Sequence, residues 1–226
     1  MTGKDLKSAR TNAGWTQEQA ASRLGLTQEY LSMVERGHRP VSAALMKQAL
    51  RVLDFPPTSL PVAESGARLN PNVLQAELGA LGYPGFSYLR GTARHNPAEL
   101  LFFALDRDEL DVRLVEALPW LAHSFPAMDW KWLTRQAKLN DRQNRLGFVV
   151  AQARQLKKGG TGVDPARLAP VEEVLERSRL VHEDTLCRES MTGAERRWLR
   201  KHRPATARHW NLLTDLDVRN LPYAAA

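Results

Sequence analysis

Sulfur chemistry and long apolar runs are both scarce in this 226-residue chain. Its single cysteine, Cys187, has no partner for an internal disulfide, and one thiol cannot build a cysteine-based zinc site. The longest apolar stretch, residues 100–105, is far shorter than the roughly 20 residues that cross a bilayer. Residues 1–10 are polar and charged, unlike a secretory leader, so the expected location is the cytoplasm. No repeat period, low-complexity tract or convincing strand alternation stands out. Enzyme signatures are also thin. His182-Glu183 opens a metal-binding H-E-x-x-H, but Leu186 stands where the second histidine belongs. Gly159-Gly160-Thr161-Gly162 lacks the strand, spacing and lysine of a phosphate loop. The expectation is a non-enzymatic protein without cofactor or metal.

What the chain does have is positive charge and helical periodicity. Its formal charge is +7, which favours an anionic partner without identifying it. Residues 1–53 carry 8 Lys/Arg against 4 Asp/Glu, and the other 173 carry 24 against 21, so the excess is denser at the N-terminus.

The most specific stretch is residues 16–37, TQEQAASRLGLTQEYLSMVERG. Thr16 and Gln19 have the spacing of a capping box, which satisfies backbone N–H groups that a helix start leaves unpaired. Ala20, Ala21 and Leu24 then recur at helical spacing, and Gly25 suits a left-handed helix end. Thr27 is placed to cap a second helix with Leu31 and Val34 on its inner side, closed by Gly37 and followed by Pro40. Thr27, Gln28, Glu29, Ser32 and Met33 are left for an outer face.

Together with helices expected at 4–12 and 42–53, this stretch resembles the helix-turn-helix of the Cro/C1 (Xre-type) repressor family over residues 3–54. The resemblance implies a small all-α domain, a structural ion pair between Arg10 and Glu35, and a second helix that enters the major groove of double-stranded operator DNA. There Gln28 suits adenine, Glu29 can accept from cytosine and Met33 can touch a thymine methyl. Gln17, Arg36, His38 and Arg39 suit phosphate. One such module covers few base pairs, so a homodimer reading two half-sites is expected.

Residues 55–72, with four prolines, read as a linker, and residues 73–226 as a helical domain. Helices are expected over 73–81, 97–105, 109–125 (with Pro119 kinking or splitting it) and 129–139. Residues 140–143 read as an N-terminal capping pattern for a helix ending near Lys158, in which Gly147 implies a close packing partner. Residues 157–164 read as a loop. Further helices are expected over 168–186, from a Thr192/Glu195 capping box, and over 204–216. The fold class is all-α.

Residues 144–148, Asn-Arg-Leu-Gly-Phe, resemble a stretch of AbiEi-type antitoxins, whose partners are nucleotidyltransferase-like toxins. AbiEi proteins carry a winged helix at the N-terminus, unlike this chain. That resemblance implies a repressor that is also an antitoxin; because tryptophan and arginine anchor interfaces, Trp130, Trp132, Arg142, Arg145 and Trp198 are partner-binding candidates. The plainer reading makes Trp130, Trp132, Leu133, Leu146 and Phe148 core. Residues 188–208 hold seven Lys/Arg and suit nucleic acid, an acidic partner or a solvated face equally. A regulator whose second domain binds a small effector is the alternative.

Overall fold

The computed structural model describes residues 1–62, 69–89, 91, 93–156 and 164–224. The chain forms two compact units, Met1–Pro61 and Val62–Ala226. The four glycines and lysines of 157–160, and residues 161–163, lie outside the described residues, so the expected loop at 157–164 is described only at Asp164.

The first unit consists of α1 (Gly3–Asn12), α2 (Gln17–Arg23), α3 (Gln28–Glu35) and α4 (Ala43–Val52), then a 3-10 turn at Pro57–Ser59. Its core joins Leu6 and Ala9 of α1, Ala20 and Ala21 of α2, Leu31 and Val34 of α3, and Leu45 and Ala49 of α4. Each helix starts on a hydroxyl: Thr2, Thr16, Thr27 and Ser42 each accept a backbone N–H three residues on. Phe55 is buried in this same core, so the segment expected as linker begins as part of the first unit.

The second unit contains α5 (Pro71–Ala80), α6 (Pro97–Leu105), α7 (Val112–Ser124), α8 (Trp130–Leu139), α9 (Gln143–Gln155) and α10 (Ala169–Glu176). After these come β1 (Asp184–Thr185), α11 (Gly193–His202), α12 (Ala205–His209) and β2 (Leu212–Leu213). Helix α9 is its axis: residues 143–153 are all buried, and α7, α8, α10 and α12 pack around it. A helix apolar or buried all round belongs to an interior. Helix α6 is likewise buried along its whole length, so its sequence shows no polar stripe.

The all-α class holds, with one short addition: β1 and β2 pair in parallel, with Asp184 opposite Leu212 and Thr185 opposite Leu213. Two-residue strands are too short to show alternation. Three other expectations are corrected here. Asn140 does not cap α9; it ends α8 by donating to Gln136 O, and Asp141 turns the chain in the left-handed region at φ 56°. The helix expected over 168–186 stops at Glu176. Buried Asn144 grips Leu180 from both sides, accepting its N–H at 2.8 Å and donating to its carbonyl at 2.9 Å, and this tertiary pairing leads the chain to β1 instead. The last helix is α12 alone, because residues 212–213 join the strand pair.

Helix α7 runs through Pro119 without splitting. An interior proline costs about 3 kcal/mol, which burial of Pro119 with Ala117, Leu118, Leu121 and Ala122 offsets. Gly147 has the close neighbour its position implied: a Cβ there would lie 2.2 Å from Cζ3 of the fully buried Trp210.

Gly147→Ala gains about 1 kcal/mol of helix propensity, yet it drives a methyl into that indole, and overpacking of this kind costs typically 1–3 kcal/mol or more. Net destabilisation is expected, seen as a lower urea midpoint for the second unit. A raised midpoint would show that Trp210 yields freely.

Candidate nucleic-acid interface

The outer surface of α3 is made by what holds its inner surface. The Thr16 hydroxyl accepts from Gln19 N–H at 3.2 Å while Gln19 Oε1 accepts from Thr16 N–H at 3.0 Å, so α2 starts on the reciprocal pair its sequence implied. Gly25, at φ 64°, turns the chain between α2 and α3. Thr27 then accepts from Tyr30 N–H at 3.2 Å, and α3 buries Leu31, Val34 and Glu35.

Glu35 is the lock. Arg10 donates to it through Nε at 2.6 Å and Nη2 at 3.1 Å, and Arg10 Nη1 donates to Trp15 O at 2.8 Å, which ties α1, the chain before α2 and the end of α3 together. Gln17 Nε2 adds a third donor at 2.9 Å. Burial pushes the Glu35 carboxyl up, but the hydrogen bonds from Arg10 and Gln17 outweigh it and leave the group below its ordinary range. The ion pair expected from family resemblance is therefore present, and Gln17, expected at phosphate, also serves it.

The candidate base-reading residues lie opposite. Gln28 and Glu29 are exposed, Met33 is 37% exposed and Ser32 is half-buried. Arg36, His38 and Arg39 follow in an exposed turn whose amides return to α3, with His38 N–H donating to Met33 O at 2.9 Å. Among the described residues, the side chains of Gln28, Glu29, Arg36, His38 and Arg39 have no hydrogen bond or ion pair, so their polar groups are open to an incoming ligand. The sequence reading missed one cation here: Arg23 stacks over the Trp15 ring at 4.0 Å, too irregular a spacing for a periodicity argument to find.

The partner-binding candidates of the second unit fare differently. Arg145 has no exposure, and its guanidinium is wholly engaged inside the domain; a surface role for it is corrected accordingly. Arg142 is half-buried and pairs with Asp106 at 3.4 Å and Asp108 at 3.5 Å. Trp130 and Trp132 pack partly buried against the core, Trp130 donating to Pro126 O at 2.9 Å and Trp132 meeting Phe102 edge-on. Only Trp198, 53% exposed, faces solvent to a large extent. Burial pushes the Cys187 thiol up to about 12, which removes it as a nucleophile at neutral pH. No group of three or more potential metal ligands occurs among the described residues, and no described helix is long and apolar enough to cross a membrane.

Because Glu35 titrates below its unfolded value, it stabilises the fold above that value, roughly 4.3, and the contribution fades as pH falls through the folded one. Arg10→Met leaves a buried carboxylate unpaired and should cost about 3–5 kcal/mol at pH 7. Hydrogen exchange of α1 and α3 amides in the full chain measures this. The gap between variant and wild type should narrow on acidification; a small gap at pH 7 would show that the pair is dispensable.

Comparison with known families matches residues 6–60 to the helix-turn-helix family. No curated protein and no solved structure matches the chain. Neither comparison supports the likeness of the second unit to AbiEi-type antitoxins. The match coincides with α1 to α4 and the turn after them, and it supports a DNA-binding transcription regulator whose N-terminal unit is a helix-turn-helix domain of the Cro/C1 type.

Proposed function

We propose that this protein is a sequence-specific transcriptional repressor that docks α3 in the major groove of operator DNA as a homodimer. The observation that carries the reading is the unpaired outer face of α3, with Gln28, Glu29 and Met33, held on the Arg10–Glu35–Gln17 lock and followed by Arg36, His38 and Arg39. An amide side chain can pair bidentately with adenine, and cations beside a recognition helix suit phosphate. Two copies give half-sites about 34 Å apart. In its most specific form the protein is an antitoxin that neutralises a toxin through its second unit and represses its own operon. Residues 144–148 carry that likeness but are buried, so a toxin would dock on other, exposed faces of the second unit.

A second reading, effector-controlled regulation, has one observation on its side. A cleft of about 290 Å³ in the second unit brings Leu110, Val115 and Leu221 together with Glu116 and Asp215, a combination suited to a small amine with an apolar body.

Gln28→Ala should reduce discrimination between operator and variant site by about 1–3 kcal/mol in fluorescence anisotropy; equal losses on operator and random duplex would remove Gln28 from base reading. Arg36→Ala should weaken both and lower the salt slope by about 1. For the antitoxin form, the product of the adjacent gene should be toxic alone and harmless when the full chain is co-expressed. A harmless neighbour would end that form and leave the DNA-binding one intact.

A further inference from the structure

Seven Lys/Arg lie between residues 188 and 208, and the structure separates those with partners from those without. Arg188 pairs with Glu195 at 2.8 Å, Arg196 with Glu189 at 3.1 Å, Arg200 with Glu183 at 2.7 Å, and Arg203 with the same Glu183 at 3.3 Å. Glu183, Glu189 and Glu195 are thereby each matched to an arginine. Arg197, Lys201 and Arg208 have no carboxylate partner among the described residues, and all three are exposed; Arg197 and Lys201 share α11, while Arg208 lies on α12.

Their position on α11 gives this meaning. At 100° per residue, Arg197 and Lys201 lie one turn apart on the side away from buried Leu199, and Trp198 and His202 form a parallel row beside them. The Trp198 and His202 rings stack at 4.5 Å with 21° between planes, which fixes a half-exposed indole next to the two cations. His202 Nδ1 meets Trp198 O at 2.8 Å, which steadies the imidazole. The helix start is closed to anions by its own Glu195 carboxylate, so this side row is where α11 offers positive charge.

We infer that this face of α11 is a second DNA-contacting surface, which takes the phosphate backbone of duplex DNA through Arg197 and Lys201, with Trp198 packing on the sugar-phosphate edge. Charge decides for a polyanion: the unpaired Arg197 and Lys201 of α11 are cationic, and Glu183, Glu189 and Glu195 are neutralised by arginines. Duplex DNA is the polyanion that the first unit, on the reading above, holds at high effective concentration for the rest of the same chain. The inference rests on that reading only for delivery; the surface itself is built without α3. It reads no sequence, because phosphate contacts carry none.

The test is anisotropy of the full chain on random-sequence duplex DNA over a range of salt. Arg197→Ala/Lys201→Ala should weaken binding and lower the slope of log K against log salt by about 2, one for each lost phosphate contact. Arg197→Gln/Lys201→Gln should do the same with side-chain bulk retained, and Trp198→Ala should weaken binding with the slope unchanged. Since all three side chains are exposed, circular dichroism melting should match wild type. An unchanged slope and affinity in both double variants would overturn the inference. So would loss of an acidic protein partner's binding with DNA affinity intact, which would make α11 a protein site. Arg36→Ala/Arg39→Ala separates the two readings: if it leaves operator binding untouched while the α11 variants abolish DNA binding, the role of α3 falls and this surface stands.

Discussion

A guanidinium buried without any exposure is costly unless every donor has a partner, and Arg145 meets that demand by drawing three distant pieces of the second unit to one point. Its Nε and Nη2 clasp Asp184 at 2.8 and 2.9 Å, its Nη1 reaches the carbonyls of Leu105 and Arg107 at 2.9 and 2.7 Å, and Glu189 lies 3.4 Å from Nη2. The end of α6, the start of α9 and β1 are fixed by one side chain. Burial alone would push the Asp184 carboxyl up; the Arg145 hydrogen bonds and charge more than compensate, holding it below its ordinary range. Asn144, next in sequence, fixes Leu180 in the same region, so the short parallel strand pair follows from two adjacent polar residues on α9.

The first unit repeats this logic on a smaller scale. Arg10 and Glu35 join helices 25 residues apart, and Gln17 supplies the donor that completes the carboxylate. In both units the buried ion pair specifies an arrangement more than it adds stability, since an apolar replacement of similar volume often stabilises as well. What the Arg10–Glu35 pair fixes is the end of α3 against α1, leaving Gln28, Glu29 and Met33 on the exposed side.

The N-terminal unit was legible because its signals are local. Thr16/Gln19, Gly25, Thr27 and Gly37 act within four residues of themselves, so spacing alone places two helices and the turn between them. Arg10–Glu35 was accessible through family resemblance. The second unit hides its organisation in long-range pairs. Arg145 and Asp184 are 39 residues apart, and Asn144 and Leu180 are 36 apart; neither spacing announces a contact, and a buried arginine looks in sequence like a surface one. The same blindness made Arg145 resemble an interface anchor. Gly147 was the exception, where an unfavourable helix residue correctly implied a neighbour pressed against it, namely Trp210. Charge in residues 188–208 was visible, but which cations remained unpaired was a property of the fold.

The burial of Cys187 has a practical consequence for watching this molecule at work. It is fully enclosed and donates its thiol hydrogen to Ala104 O, and its thiol is pushed up to about 12 against an ordinary value near 8.5. The native chain is therefore silent to maleimide reagents while folded. One cysteine placed on an exposed position of each unit gives a defined pair of attachment points for dyes or spin labels, so the separation between the units, with and without DNA, can be followed without first removing a natural residue.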